Sequence, residues 1–332
     1  MDPISQAVVG STAAQAVSSR QKILAFTLLG AAAGMAPDLD ALIRSSTDPL
    51  LALKFHRQFT HSLLFIPFGA LLVAAVLHWP FRHTLRFGES WLACLVGYAT
   101  HGLLDGCTSY GTQLFWPFSD YRVSWNVVSV VDPVFTLPLL GFVVLAVWRR
   151  RRVFTVVAVV WAVAYLLLGL AQQERARTMA ERVASERGHV PVRLSVKPGF
   201  GNIVLWKVIY EHEGRYHIDA VRALGDLRWC PGTQVKKLDV SQELPELHPA
   251  SRQARDIERF RWFSQDYLSR RVADDLIIDV RYSAVPNEAE PLWGIRIDPT
   301  APNTHVEWTT FRETDARQRA RLRALLAGDG CE

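Results

Sequence analysis

Four consecutive arginines, Arg149 to Arg152, stand between two apolar runs, residues 127–148 and 153–171. Four adjacent guanidinium groups are costly in hydrocarbon and in a protein core. Their place between two runs of spanning length reads as a cytoplasmic turn under the positive-inside rule. Further apolar segments precede them, at residues 3–18, 23–36, 62–79 and 90–104. The first is short for a full span, which takes about 20 residues. It is rich in small residues, including Gly10 and Ser11, that let membrane helices approach closely, and Pro3 suits a first helical turn.

The arginine block fixes an orientation for the rest. If it is cytoplasmic, the turns at Arg82/Arg86 and Arg20/Lys22 fall on the same side, provided residues 3–18 and 23–36 form a hairpin. The other side then receives Asp2, Asp38, Asp40, His56, His61, His101, Asp105, Arg122 and Asp132. Charge and hydropathy do not require the chemistry-bearing residues to gather on one face.

Across 332 residues, 49% are hydrophobic and 21% charged, but this average hides a division near residue 171. Residues 1–171 read as a polytopic α-helical membrane domain of about five or six helical segments. Residues 172–189 read as an exit helix or linker, and 190–332 as an α+β domain outside the cytoplasm. In that domain strands are expected at 192–196, 203–211, 216–221, 276–282, 292–297 and 305–310, with a hairpin at Gly214. Helices are expected at 251–271 and 312–326. Much of the net charge of +5 lies in the arginine block, so no nucleic-acid partner is expected. Cys94, Cys107, Cys230 and Cys331 form no CxxC pair, which leaves zinc-ribbon and thioredoxin readings unsupported. Cys94 reads as a small packed residue. The start Met1-Asp2-Pro3 lacks the basic region of a cleavable signal peptide.

Two polar clusters interrupt the apolar runs. His101 and Asp105 are four apart, about 40° around a helix, so they share a face and can bind one ion or orient one another. His56 and His61 are five apart, about 140° on a continuous helix, so both reach one ion only if His56 lies in a loop and His61 near a helix start. Thr60 is the expected cap of that helix. Asp38 and Asp40 follow Pro37, where aspartate commonly caps a turn. Beside imidazoles they also complete a mixed nitrogen and oxygen site suited to a divalent metal, zinc first, with manganese or iron as alternatives. Arg122 and Asp132 are the expected catalytic groups. Arg122 can clamp an anion such as phosphate, and Asp132, before Pro133, either caps a helix or reaches the site. Arg57, Ser109 and Tyr110 are expected substrate contacts, the other reading being interfacial anchoring and loop packing.

Pro37-Asp38-Leu39-Asp40, the stretch His56 to Ser62, His101-Gly102-Leu103-Leu104-Asp105, Ser109-Tyr110-Gly111, Pro117-Phe118-Ser119 and Asp132-Pro133 occur in the order and approximate spacing of the YdjM-like family. The resemblance covers roughly residues 1–170 and continues more loosely around 202–206. It implies a LexA-binding, inner-membrane-associated, metal-dependent hydrolase. By analogy only, it also implies a remote similarity to zinc-dependent phospholipases C. One departure matters: Gln6 stands where the family has a histidine, and an amide is a poorer zinc ligand than imidazole.

The expected function is metal-dependent hydrolysis at the non-cytoplasmic face of the inner membrane. His56, His61, His101, Asp105, Asp38 and Asp40 would be the metal residues and a phosphoester or other lipid-linked molecule the substrate. The alternative is a non-enzymatic membrane regulator or scaffold, linked through LexA to the DNA-damage response, whose polar cluster holds helices together.

Overall fold

The structure is a computed structural model that describes residues 1–311 and 313–332. It divides into two compact units. The first comprises residues 1–43, 55–171 and 200–202, and the second the remainder.

The first unit is helical. Helix α1 (Pro3–Val17) begins at Asp2, whose carboxylate accepts from the Ile4 and Ser5 backbone N–H groups at 3.1 Å each. It packs on α2 (Ile23–Met35) at a glycine crossing. A Cβ placed on Gly30 would stand 2.5 Å from Ala14 Cβ and from the Gly10 carbonyl, so the approach requires glycine. A 3₁₀ turn, Ala36–Leu42, follows and carries both Asp38 and Asp40. Beyond α3 (Leu51–Phe55), two short 3₁₀ turns lead into α4 (Ile66–Leu77). Ser62 rather than Thr60 caps this entry, accepting from Phe65 N–H at 3.3 Å, because the Thr60 hydroxyl is turned to Asp40. The core of α1, α2, α4 and α5 (Phe87–Gly106) is built largely of alanines with Phe26, Leu29, Cys94 and Tyr98. Cys94 is packed there as a small apolar residue.

Helix α6 (Pro133–Arg149) ends at the arginine block, where Arg150 takes a left-handed conformation with φ 50°. The expected span at 153–171 and the exit helix are one element, α7 (Arg152–Glu186). Among the described residues two helical stretches, Ile23–Leu42 and Arg152–Glu186, are long and apolar enough to cross a membrane. A third span results if Leu51–His61 and Leu63–Leu77, bent by 54°, count as one. The helical N-terminal region thus contains fewer candidate spans than apolar segments.

The second unit holds two antiparallel four-stranded meanders. The first is β1 (Arg193–Pro198), β2 (Leu205–His212), β3 (Arg215–Arg222) and β4 (Arg228–Lys236). Glu213 and Gly214, with φ 47° and 69°, make the two-residue turn between β2 and β3. After the short α8 (Val240–Glu243) and α9 (Arg252–Phe263) come β5 (Leu268–Arg271), β6 (Leu276–Asp279), β7 (Trp293–Arg296) and β8 (Glu307–Thr310). The two sheets share a core: Ile209, Tyr216 and Ile218 pack with Tyr267, Leu276, Ile278 and Val280. Helix α10 (Ala316–Ala327) buries Leu325 against Leu205 and Ala220, and a Cys230–Cys331 disulfide joins the end of the chain to β4.

Two expectations are corrected. The helix expected over 251–271 stops at Phe263, because Gln265 and Asp266 turn to φ 53° and 60° and the chain re-enters as β5. Strand β4 was not anticipated, since Pro231 and Gly232 interrupt its pattern. Residue 312, expected to open the closing helix, lies outside the described residues.

Candidate metal centre

Three segments meet at one point. The turn after α2 supplies Asp38, the 3₁₀ turn Phe59–His61 supplies His61, and the last turns of α5 supply His101 and Asp105. Gly102 permits the meeting: a Cβ there would run into the His61 backbone carbonyl. The two imidazoles face each other with Nε2 atoms 2.9 Å apart. Asp38 Oδ1 lies 3.4 Å from His61 Nε2 and 3.5 Å from His101 Nε2. Asp105 Oδ2 lies 3.3 Å and 3.7 Å from the same atoms. One donor atom from each of the four residues falls within 4.8 Å of the others.

The outer nitrogens decide which way the lone pairs point. His101 Nδ1 stands 2.6 Å from the Gly34 carbonyl, which can only accept, so that nitrogen carries the hydrogen. His61 Nδ1 lies 3.2 Å from Asp40 Oδ2 and 3.0 Å from the Thr60 hydroxyl, whose own hydrogen goes to Asp40 at 2.8 Å. His61 Nδ1 is therefore a donor as well. In the neutral rings both Nε2 lone pairs aim inward, alongside two carboxylate oxygens. With both rings neutral, four electron-pair donors converge with no proton between them, an arrangement that is repulsive until a cation enters. Among the described residues, buried Asp105 Oδ2 has no hydrogen-bond partner, and Arg57 Nε, 3.2 Å away, is out of hydrogen-bond alignment. A two-imidazole, two-carboxylate set with orienting acceptors behind both rings could hold a metal ion.

Asp40 organises this arrangement without joining the four. Its Oδ2 accepts from Thr60 and, at 3.0 Å, from the Arg57 backbone N–H, while its Oδ1 contacts His56 Nδ1 at 2.7 Å. His56 belongs with Asp38 and Asp40 to a second, overlapping group. The side chains of His61, His101 and Asp105 are fully enclosed, whereas Asp38 is 25% and His56 38% exposed. The cluster therefore opens past those two residues.

The other expected residues take distinct places. Arg57, at φ 66°, donates from Nη1 to Thr108 Oγ1 at 3.2 Å and lies 5.1 Å from the centre of the Tyr110 ring. Arg122 Nη2 donates to the carbonyls of Tyr110 and Gly111 at 3.3 and 2.8 Å, which ties the loop together. Ser109 is buried in the same loop. Asp132 is the N-cap of α6 and accepts from the Tyr165 hydroxyl at 2.9 Å; it is in neither group. Gln6 reaches the cluster, donating from Nε2 to Asp105 Oδ1 at 2.9 Å, and its Oε1 has no hydrogen-bond partner among the described residues. The Met1 amino group also pairs with Asp105 Oδ1. Sequence reasoning missed the Gly34 carbonyl and the Thr60 hydroxyl. Neither a backbone carbonyl nor a lone hydroxyl leaves a spacing signal.

The sequence matches the family described as YdjM inner membrane protein over residues 1–176, and the chain belongs to that family. It is similar to the "Uncharacterized protein YfhP" of Bacillus subtilis (strain 168), with 30% identity over 141 residues, 42% of this chain and 40% of that protein. The chain thus spans well under two thirds of that relative's length. No solved structure matches.

Proposed function

We propose that this member of the YdjM inner membrane protein family is a metal-dependent hydrolase. Asp38, His61, His101 and Asp105 would hold the metal, zinc first, and a phosphoester or other lipid-linked molecule would be the substrate. The observation that carries the reading is the inward convergence of two imidazole lone pairs and two carboxylate oxygens. A divalent ion supplies Lewis acidity in such a site, polarising the scissile group and activating water at neutral pH.

The chain's own groups have separable tasks. Gly34 O and Asp40 hold the two rings with Nε2 inward. Arg57 offsets the charge of Asp105. His56, its Nδ1 engaged by Asp40, presents Nε2 at the opening, where it can move a proton to or from a bound substrate. Exposed Leu39, between the two aspartates, and exposed Leu42, two residues beyond them, suit a substrate with a lipid portion. We place the site on the non-cytoplasmic face, a topology supported by the arginine block and by the Cys230–Cys331 disulfide, since disulfides persist in oxidising compartments.

A second reading rests on Asp105 Oδ1, which already meets Gln6 and the Met1 amino group. With one imidazole protonated, the cluster could serve only to lock helices in a regulatory or scaffold protein. Chelator-sensitive hydrolysis of generic phosphoesters by the purified protein separates the two. The enzyme reading expects turnover that a chelator abolishes and zinc or manganese restores; the scaffold reading expects none.

A further inference from the structure

The connection between α5 and α6, residues 107–131, turns four aromatic rings outward. Phe115, Phe118, Tyr121 and Trp125 are exposed, Phe118 to 84%. Their backbone is well tied. Thr112 and Val123 form an antiparallel bridge, Arg122 holds the Tyr110 and Gly111 carbonyls, and the Trp125 N–H donates to the Gly106 carbonyl at 2.7 Å. Leu114, Arg122 and Val123 fill the inner side. Asp120 is the single exposed charged side chain of the connection. An ordered loop that presents four rings and one charge carries an apolar patch, and such a patch marks an interaction surface.

We propose that this loop inserts into the interfacial layer of the membrane and holds the opening of the His/Asp cluster at headgroup depth. The partner follows from the surfaces that the loop continues. The Leu63 N–H donates to the Leu114 carbonyl at 3.0 Å, so the loop sits at the N-terminal end of α4, and its last residues lead directly into α6. Both helices carry exposed apolar faces, with Phe68, Leu72 and Val76 on α4 and Val134, Leu137 and Val144 on α6. At the far ends of the same helices stand exposed Trp79 and Trp148. Aromatic residues at both ends of an apolar band mark the two membrane interfaces. The 17 residues of α6 rise about 25 Å, close to a hydrocarbon thickness of roughly 30 Å. Tyr121 and Trp125 pair an apolar body with a polar tip, which suits the headgroup layer. The loop also packs beside the cluster. The Gln113 N–H donates to the Arg57 carbonyl at 3.0 Å, next to His56, and the ring centres of Trp116 and Phe59 lie 6.1 Å apart. Exposed Leu42 stands on the turn that carries Asp38 and Asp40. A loop at headgroup depth thus brings the opening past Asp38 and His56 to the same level. A lipid-borne substrate would then reach the cluster without leaving the bilayer. That consequence rests on the hydrolase reading; insertion of the loop does not.

The test is a nitroxide depth measurement on the full chain in vesicles of phosphatidylethanolamine and phosphatidylglycerol. In a Cys94→Ala, Cys107→Ala background, one label at a time goes to Phe118→Cys, to Leu42→Cys and, as a reference on the α+β domain, to exposed Glu246→Cys. Oxygen concentrates in lipid and a nickel chelate stays in water. The ratio of oxygen to nickel collisions should be several-fold higher at positions 118 and 42 than at 246. Where Phe118→Cys misfolds, Tyr121→Cys takes its place. A ratio at 118 equal to that at 246 would overturn insertion. Exclusion of both reagents from 118 would overturn it too, since a second copy or another protein would then cover the loop. An inserted 118 beside a water-exposed 42 would overturn the depth assigned to the opening. Absence of phosphoester hydrolysis changes none of these ratios, so failure of the enzyme reading stays separable.

Discussion

His61 and His101 meet Nε2 to Nε2 at 2.9 Å, and each has its outer nitrogen directed at an oxygen acceptor. The two inner nitrogens either share a proton or lie open to a metal ion. A hydrogen bond between the inner nitrogens needs one ring protonated on both, at the expense of burying a charge. The nearby carboxylates can stabilise that charge, so the two states differ in a testable way.

Asp40 gathers His56, His61, Arg57 N–H and Thr60 around one carboxylate. Asp40→Asn keeps the shape but reverses the donor pattern on one oxygen. Zinc affinity should fall by about 10- to 100-fold, the usual effect of an outer-shell partner, while membrane insertion is retained. An unchanged zinc isotherm would show that Asp40 does not orient the ligands.

Gln6 occupies a position from which a side chain touches Asp105. Replacing the amide by an imidazole should raise metal affinity in Gln6→His. Equal affinities in variant and wild type, both folded, would place this position outside the metal's reach.

The α+β domain carries its own pH signature. Lys197 and Lys207 pair directly across β1 and β2, and both are buried. Burial pushes the Lys207 amine down to about 7, against the pull of Asp279 and the Glu288 carboxylate. Its ordinary value in the unfolded chain is 10.5. Between these limits the unfolded state holds a proton that the folded state has lost, so the Lys207 contribution to stability rises with pH from about 7 to 10.5. Chemical denaturation at several pH values should show this slope in wild type and a shallower one in Lys207→Met. Identical slopes would contradict a buried neutral lysine.

Topology can be read with a reporter active only outside the cytoplasm. Fused after Gly188 it should be active, and fused after Arg86 silent. Cys230 and Cys331 should resist alkylation in intact cells until reduced. The reverse reporter pattern would move the domain to the cytoplasm.

Different physical signals made different parts of the chain legible. Pro3 and the arginine block mark helix ends locally, so α1, the end of α6 and the start of α7 appear near their observed positions, whereas the span expected from residue 127 begins only at Pro133. The i, i+4 spacing of His101 and Asp105 placed them on one face of α5. The division of labour between Asp38 and Asp40 had no such signal, because it depends on how the 3₁₀ turn after α2 presents each carboxylate. Asp132 was open between cap and site for the same reason; its carboxylate went to the α6 N-terminus and Tyr165. The Cys230–Cys331 bond closes 101 residues of chain, a separation that no local pattern announces. The end of α9 turns on two non-glycine residues at positive φ, Gln265 and Asp266, which composition does not mark.

The most direct measurement is the metal content of the protein purified in detergent, wild type beside His101→Ala and Asp105→Asn, with thermal stability of each before and after chelation. A metal centre predicts zinc or a related ion in wild type, its loss from both variants, and insertion and purification in all three. Chelation should then lower the stability of wild type toward that of the variants. A metal-free wild type of full stability, indifferent to chelator and to added zinc or manganese, would contradict the centre and leave the cluster as helix packing.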